Sequence, residues 1–176
     1  MTPIYLIPIA NGRLDPTLEA LEDLGAALAG IFRMPCQIRP EILDPAFAFD
    51  AARRQYCSTA ILQRLDGAAD PRARILGVTA CDLYVPVLTF VFGEGQLEGQ
   101  CAVVSTARLS EEFYGLPRHD RVLRDRLLKE SAHELGHTFG LRHCADWQCV
   151  MSSSHEVSRL DLKSAEFCPR CRLSLC

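Results

Sequence analysis

Apolar positions along the chain fall into short continuous runs and longer stripes of helical period, and the two kinds alternate. The run at residues 4–9 predicts a first strand, and the apolar period across 16–32 predicts a helix with Asp15 at its cap. Further strands are expected at 36–39, 74–78, 89–92 and 101–105, with a helix over 51–65 between them. A long helix should begin near Asp120, just after Pro117. There Leu128, Ala132, Leu135 and Phe139 form an apolar stripe, and Arg121, Arg124, Asp125 and Lys129 fall largely outside it. This alternation predicts an α/β fold in which helices cover a mixed, mainly parallel sheet. Before the long helix, LTFVFGEGQLEGQCAVVST joins two apolar strands through Gly93, Gly95 and Gly99 and reads as a hairpin-like pair.

Composition narrows the picture. A chain of 176 residues, 48% of them apolar, can bury one substantial core but not a second full-sized domain, so residues 1–176 are expected as a single domain. Its internal boundary is expected at Gly140, between a larger part (1–140) and a small part (141–176), with a cleft between them. A net charge of −3 without any Lys/Arg run argues against nucleic acid as a partner. The apolar stretches are too short to cross a bilayer, and the N-terminal run, interrupted by prolines and lacking a basic leader, reads as a strand rather than a signal peptide. A soluble, cytoplasmic protein is expected. The sequence leaves the oligomeric state open, a monomer being compatible with it.

The candidate chemistry sits in HELGHTFGLRH, residues 133–143. On a helix, residues four apart differ by about 40° in azimuth and about 6 Å in rise, so His133 and His137 can grip one ion together. Glu134 lies about 100° round from His133, suited to act as general base on a water at that ion. A helix continued past Gly140 would turn His143 roughly 120° away from His137. Glycine enters the left-handed conformation without penalty, so the chain should reverse at Gly140 and bring His143 back as a third nitrogen. Three neutral imidazoles leave one tetrahedral position of zinc open, the mark of a catalytic rather than a structural site. The bland alternative is a helix carrying surface histidines; outside the motif, His119 and His155 are expected at the surface, with a supporting hydrogen bond to the metal site as the alternative.

The nine cysteines divide in two. Cys144 and Cys149 follow His143 directly and Cys168 and Cys171 lie close to the end, and two short-spaced pairs across a loop are how tetrahedral four-thiolate zinc sites are built. Disulfides or buried free thiols are the alternatives, the first disfavoured in a reducing cytosol. Cys36, Cys57, Cys81 and Cys101 are expected as inert core thiols and Cys176 as a loose one.

Together, His133 to His143, Cys144, Cys149, Met151, Cys168 and Cys171 make a pattern that resembles the archaemetzincins, a branch of the metzincin zinc peptidases. The resemblance covers the last quarter of the chain. It implies a zincin-like fold and two Zn2+ ions, one catalytic and bound by His133, His137 and His143, the other structural and bound by Cys144, Cys149, Cys168 and Cys171. It further implies Glu134 as catalytic base and Met151 as the methionine of the turn beneath the metal. Where some other metzincins carry an extra tyrosine ligand stands Ser153, so four-coordinate zinc is expected at rest. The implied substrate is a peptide or protein, held against an exposed edge strand expected at 89–92, and some members of the family are aminopeptidases. Two other readings stay open: a zinc-containing peptide-binding module with little or latent hydrolysis, and a Cys/zinc redox sensor.

Overall fold

Three runs that are apolar on both faces end up inside the sheet. The computed structural model describes residues 3–65 and 72–175. Strands β1 (Ile4–Ile9), β2 (Cys36–Ile38), β5 (Arg74–Thr79), β7 (Gly93–Gly95) and β8 (Cys101–Ser105) form one sheet in the order β2-β1-β5-β8-β7. All neighbours run parallel except β7, which is antiparallel to β8 at the edge. The sheet is therefore mixed and mainly parallel, as the sequence predicts. Strands β3 (Phe49–Asp50), β4 (Gln55–Cys57) and β6 (Leu83–Tyr84) make a second, small sheet.

Helices cover both faces of the large sheet, which explains the continuous apolar runs. Helix α1 (Leu18–Phe32) and helix α3 (Asp120–Thr138) lie on one side, where Leu21, Leu24, Leu28, Leu127, Ala132 and Leu135 meet Ile4, Leu6, Leu76, Val78, Ala102 and Val104. Helix α2 (Ser58–Leu65) lies on the other, where Ile61, Leu62 and Leu65 meet Ile9, Ile75, Cys101 and Val103. Alternate residues of β8 thus face opposite helices, so α3 is fixed against the centre of the sheet. Beyond it come two short helices, α4 (Val157–Leu162) and α5 (Pro169–Leu173). Leu141, Cys144, Val150, Met151, Leu160, Phe167 and Cys171 from this last stretch share the core of α1 and α3.

Three expectations need correction. The cap of α1 is Thr17, whose Oγ1 accepts from the Ala20 N–H at 3.3 Å, and not Asp15, which stands two residues too early to reach it. The helix expected over 51–65 is confined to its second half. Asp50 Oδ1 accepts the Ala52 and Arg53 N–H groups at 2.9 and 3.1 Å, Arg54 turns left-handed at φ 57°, and Gln55–Cys57 becomes a strand. A local carboxylate that satisfies the first amides of a turn competes with helix in this way. Third, the strand before β8 lies at Gly93–Gly95 rather than 89–92, and within 89–92 Val91 makes only an isolated bridge to Leu83.

Candidate active site

The C-terminal end of α3 arranges the site. Gly140 stands at φ +86°, its N–H donating to His137 O at 2.9 Å while the Leu141 N–H reaches Gly136 O at 3.1 Å. These two bonds form the Schellman ending of a helix, and they reverse the chain where the glycine was expected to do so. His143 is brought back over α3, its ring centroid 5.3 Å from that of His133 and 5.2 Å from that of His137. The imidazole nitrogens of the three lie within 4.8 Å of one another.

Their protonation follows from their partners. His133 Nδ1 lies 2.8 Å from Val150 O, and His137 Nδ1 lies 2.7 Å from Leu141 O. A carbonyl can only accept, so in each neutral ring Nδ1 carries the proton and Nε2 is a bare lone pair. The two Nε2 atoms then face each other at 3.2 Å with no hydrogen between them. Such an arrangement is repulsive unless a cation occupies the gap, so the donor set fits a metal such as zinc. Burial keeps all three imidazoles below the usual histidine range, most strongly His133, and the Lys163 ammonium acts in the same direction. They are thus neutral, the form that ligates.

Met151 packs on α3 at Gly136, the residue before His137. A Cβ placed on Gly136 would come 2.4 Å from Met151 Sδ, so only a residue without a side chain lets the turn press against α3 between the two histidines. The Cys144 N–H donates to Met151 O at 2.9 Å, tying the residue after His143 to the same turn.

Glu134 is buried, 7% exposed, on the side of α3 that meets β7. A Cβ at Gly93 would approach its Cγ to 2.7 Å, and one at Gly95 would come 2.3 Å from its backbone oxygen. Two glycines therefore let the edge strand lie directly on this carboxylate. Burial lifts its pKa well above the ordinary range, Glu130 one turn earlier adds to the rise, and Lys163 and the Gly95 N–H oppose it. Lys163, 3% exposed, sends its Nζ to Ser152 O at 3.0 Å and stands 3.5 Å from Glu130 Oε1.

The four paired cysteines also converge. The Sγ atoms of Cys144, Cys149, Cys168 and Cys171 lie within 4.8 Å of one another, in a cluster able to hold a metal ion. The Cys168 N–H donates to Cys149 Sγ at 3.3 Å and Arg170 donates to Cys144 Sγ at 3.5 Å, contacts that favour thiolates. Burial pushes the Cys144 thiol up, yet the Asp146 N–H, Arg170 and the neighbouring thiols bring it down to about 7.

Other expected residues lie elsewhere. His119 and His155 are exposed, the first accepting the Val122 N–H at the start of α3 and the second 3.3 Å from Ser153 Oγ. Of the single cysteines only Cys101 is fully buried, Cys36 and Cys57 being half-buried at element ends and Cys81 half-buried in the loop between β5 and β6, and Cys176 lies outside the described residues. Sequence reasoning missed Glu130, Lys163 and the proximity of Gly93 and Gly95 to Glu134. The spacing of Glu130 and Glu134 by one turn was a readable signal for the first, whereas Lys163 lies about thirty residues away with no motif to mark it.

The profile of peptidase family M54 matches residues 27–176. An archaemetzincin of Methanocaldococcus jannaschii is 44% identical over 153 residues, 87% of this chain and 83% of the relative. Among solved structures, a zinc-dependent peptidase from Methanocorpusculum labreanum superposes with a TM-score of 0.88 at 32% identity, covering 98% of this chain and 100% of the other. An archaemetzincin from Archaeoglobus fulgidus, complexed with malonate, gives 0.82 at 34% identity, over 98% and 99% of the two chains.

Proposed function

From the premise that the chain belongs to peptidase family M54, the archaemetzincins, and is a zinc metallopeptidase, we propose how its residues divide the work. His133, His137 and His143 hold the catalytic zinc, Glu134 is the general base, and Cys144, Cys149, Cys168 and Cys171 hold a second, structural zinc. The observation that carries this reading is the pair of bare Nε2 atoms facing each other at 3.2 Å. With zinc in place the centre supplies a Lewis acid for the attacking water and the scissile carbonyl.

The chain's own residues do the rest. Glu134 takes the proton of the attacking water and passes it to the departing amine. Its dry surroundings make it a stronger base than a solvated carboxylate, and the Gly95 N–H and Lys163 counter that shift from two directions. Val150 O and Leu141 O keep the ligand rings oriented through both stages.

The substrate is a peptide that adds to the free edge of β7. Ladder bonds to β8 use Phe92 O and Gln96 N–H, so the main-chain groups of Gly93 and Gly95 point away from β8. Val91 N–H is already given to Leu83 O at 3.0 Å, and Gly95 N–H serves Glu134. Gly93 is left with both main-chain groups open and Gly95 with its carbonyl, a grip no more than two residues deep. So short a grip favours attack close to a peptide end over cleavage within a long extended chain, and supports an aminopeptidase. The cluster of reduced thiols fits a cytoplasmic location.

The test is substitution of Glu134 by Ala with elemental analysis of both proteins. Two zinc ions per chain are expected in each, with peptide hydrolysis lost in the variant by at least about a hundredfold. Undiminished hydrolysis would remove Glu134 from the reaction. Comparing free-amine with blocked peptides then separates amino- from endopeptidase action.

A further inference from the structure

Strand β7 is the sequence Gly93-Glu94-Gly95, so Glu94 carries its only side chain. Gly93 and Gly95 face α3, and Glu94 faces the opposite side of the sheet, toward α2. There its carboxylate accepts the Ser58 hydroxyl at 2.5 Å and the Thr59 hydroxyl at 3.0 Å to each oxygen. Ser58 and Thr59 are the first two residues of α2, and Ser58 is fully buried. The helix is in turn seated on the sheet by Ile61, Leu62 and Leu65. A rigid helix thus holds a three-residue edge strand through one carboxylate.

Glycine restricts the backbone less than any other residue, and two glycines in three leave this strand with little intrinsic preference for its position. Its free edge nevertheless has to stay in place, because Gly93 offers the open main-chain pair and Gly95 abuts Glu134. We propose that Glu94, clamped by Ser58 and Thr59, is a positioning residue that fixes the height of β7 and so presents the Gly93 backbone to substrate. The inference rests on the reading that the substrate pairs at Gly93. Glu94 touches neither the reacting atoms nor the histidines; its charge also raises the pKa of Glu134, so the positioning effect is the part that loss of Glu94 shares with loss of the two hydroxyls, which leaves that charge in place.

The experiment uses steady-state kinetics on the zinc-loaded enzyme with one short peptide and a set of its analogues, each N-methylated at a single backbone nitrogen. In the unsubstituted enzyme one analogue should have a KM raised about five- to tenfold, since methylation deletes the hydrogen bond to Gly93 O. Glu94→Ala should raise KM for the plain peptide by a similar factor and abolish the discrimination against that analogue, and any change in kcat from the lost charge beside Glu134 should be shared by Glu94→Gln. Glu94→Gln, which still accepts both hydroxyls, should restore KM to within about twofold. The double variant Ser58→Ala/Thr59→Val should reproduce the Glu94→Ala result and add nothing to it, and it serves if Glu94→Ala does not fold. The proposal is overturned if the analogue is discriminated while the Glu94 and Ser58/Thr59 variants keep an unaltered KM, or if they lose thermal stability and kcat with KM unmoved. Failure of the docking reading looks different: no N-methylated analogue is then discriminated by the unsubstituted enzyme.

Discussion

Lys163 is one of the most deeply buried cations in the protein, and it stands between a carboxylate on α3 and a carbonyl of the turn that supports the metal ligands. Burial lowers its pKa and Glu130 raises it again, while Glu130 itself is raised by burial and lowered by Lys163. Each therefore justifies the other's charge. Replacing Lys163 by Met strands Glu130 without a counter-ion, which costs about 3–5 kcal/mol and should lower the melting temperature on the order of 10 °C. Replacing both, Lys163→Met with Glu130→Leu, should recover most of that loss, because a packed apolar pair is about as stable as a buried ionic one. Thermal denaturation of the three proteins checks it, and a double variant no better than the single one would show that the two side chains do not act as a pair. The histidines give a pH dependence of definite sign. Their folded pKa values lie below the unfolded value of about 6.5, so below that pH the unfolded chain binds more protons than the native one. The histidines' contribution to the stability of the metal-free protein should fall as pH drops through about 6.5, while the raised Glu134 contributes in the opposite sense. A denaturation series across about pH 5–8 reads the sum, and the same series on a Glu134→Gln variant should show the histidine loss more steeply.

At the scale of elements, close approach of β7 to α3 is what sets the free edge of the sheet beside Glu134, the proposed general base. The missing Cβ of Gly95 makes that possible: an added one would meet Glu134 backbone at 2.3 Å and His137 Cβ at 3.1 Å, neither of which can swing away. Gly95→Ala should cost at least about tenfold in kcat/KM through displacement of β7. Gly140→Ala should do less damage to the edge, since its clash is with the flexible Glu98 side chain at 3.2 Å, and its cost is the strained φ of +86°, about 1–2 kcal/mol. Kinetics and melting curves should both rank Gly95→Ala as the more damaging of the two. The same glycines explain what the sequence made legible. Apolar runs such as CAVVS locate interior strands because side chains buried on both faces leave a continuous pattern, and the HELGHTFGLRH spacing carries the metal site within one helix and one turn. Gly93–Gly95 has no apolar pattern to read, so the strand is sought in the LTFVF run before it, whose Phe92 enters the core instead. Asp50, similarly, ends a helix pattern at 51–54 through hydrogen bonds that no periodicity displays.

Across the whole molecule, the two candidate metal sites are joined through the chain itself. His143 precedes Cys144 directly, and Cys149, Val150 and Met151 are consecutive, so one cysteine pair is flanked by the third imidazole on one side and the carbonyl that orients His133 on the other. The last stretch carries few regular elements of its own. It is seated by Phe32 against Phe139 and Phe167, both at 5.4 Å between ring centroids, and by Arg172 donating to Ile31 O. Leu141, Val150, Met151, Leu160 and Phe167 dock it on the core as well, and thiolate coordination can add folding energy to that burial. A change at the cysteine cluster should therefore be felt at the histidines, although Cys171 belongs to a separate ligand group. Cys171→Ser should reduce zinc from two ions per chain to one or fewer, and it should lower peptide hydrolysis at least about tenfold by loosening the Val150 carbonyl and His143 together. Elemental analysis beside an activity assay decides the matter. A variant holding one zinc ion with full activity would separate the two sites and leave the cysteine cluster as a fastening for the C-terminal stretch alone.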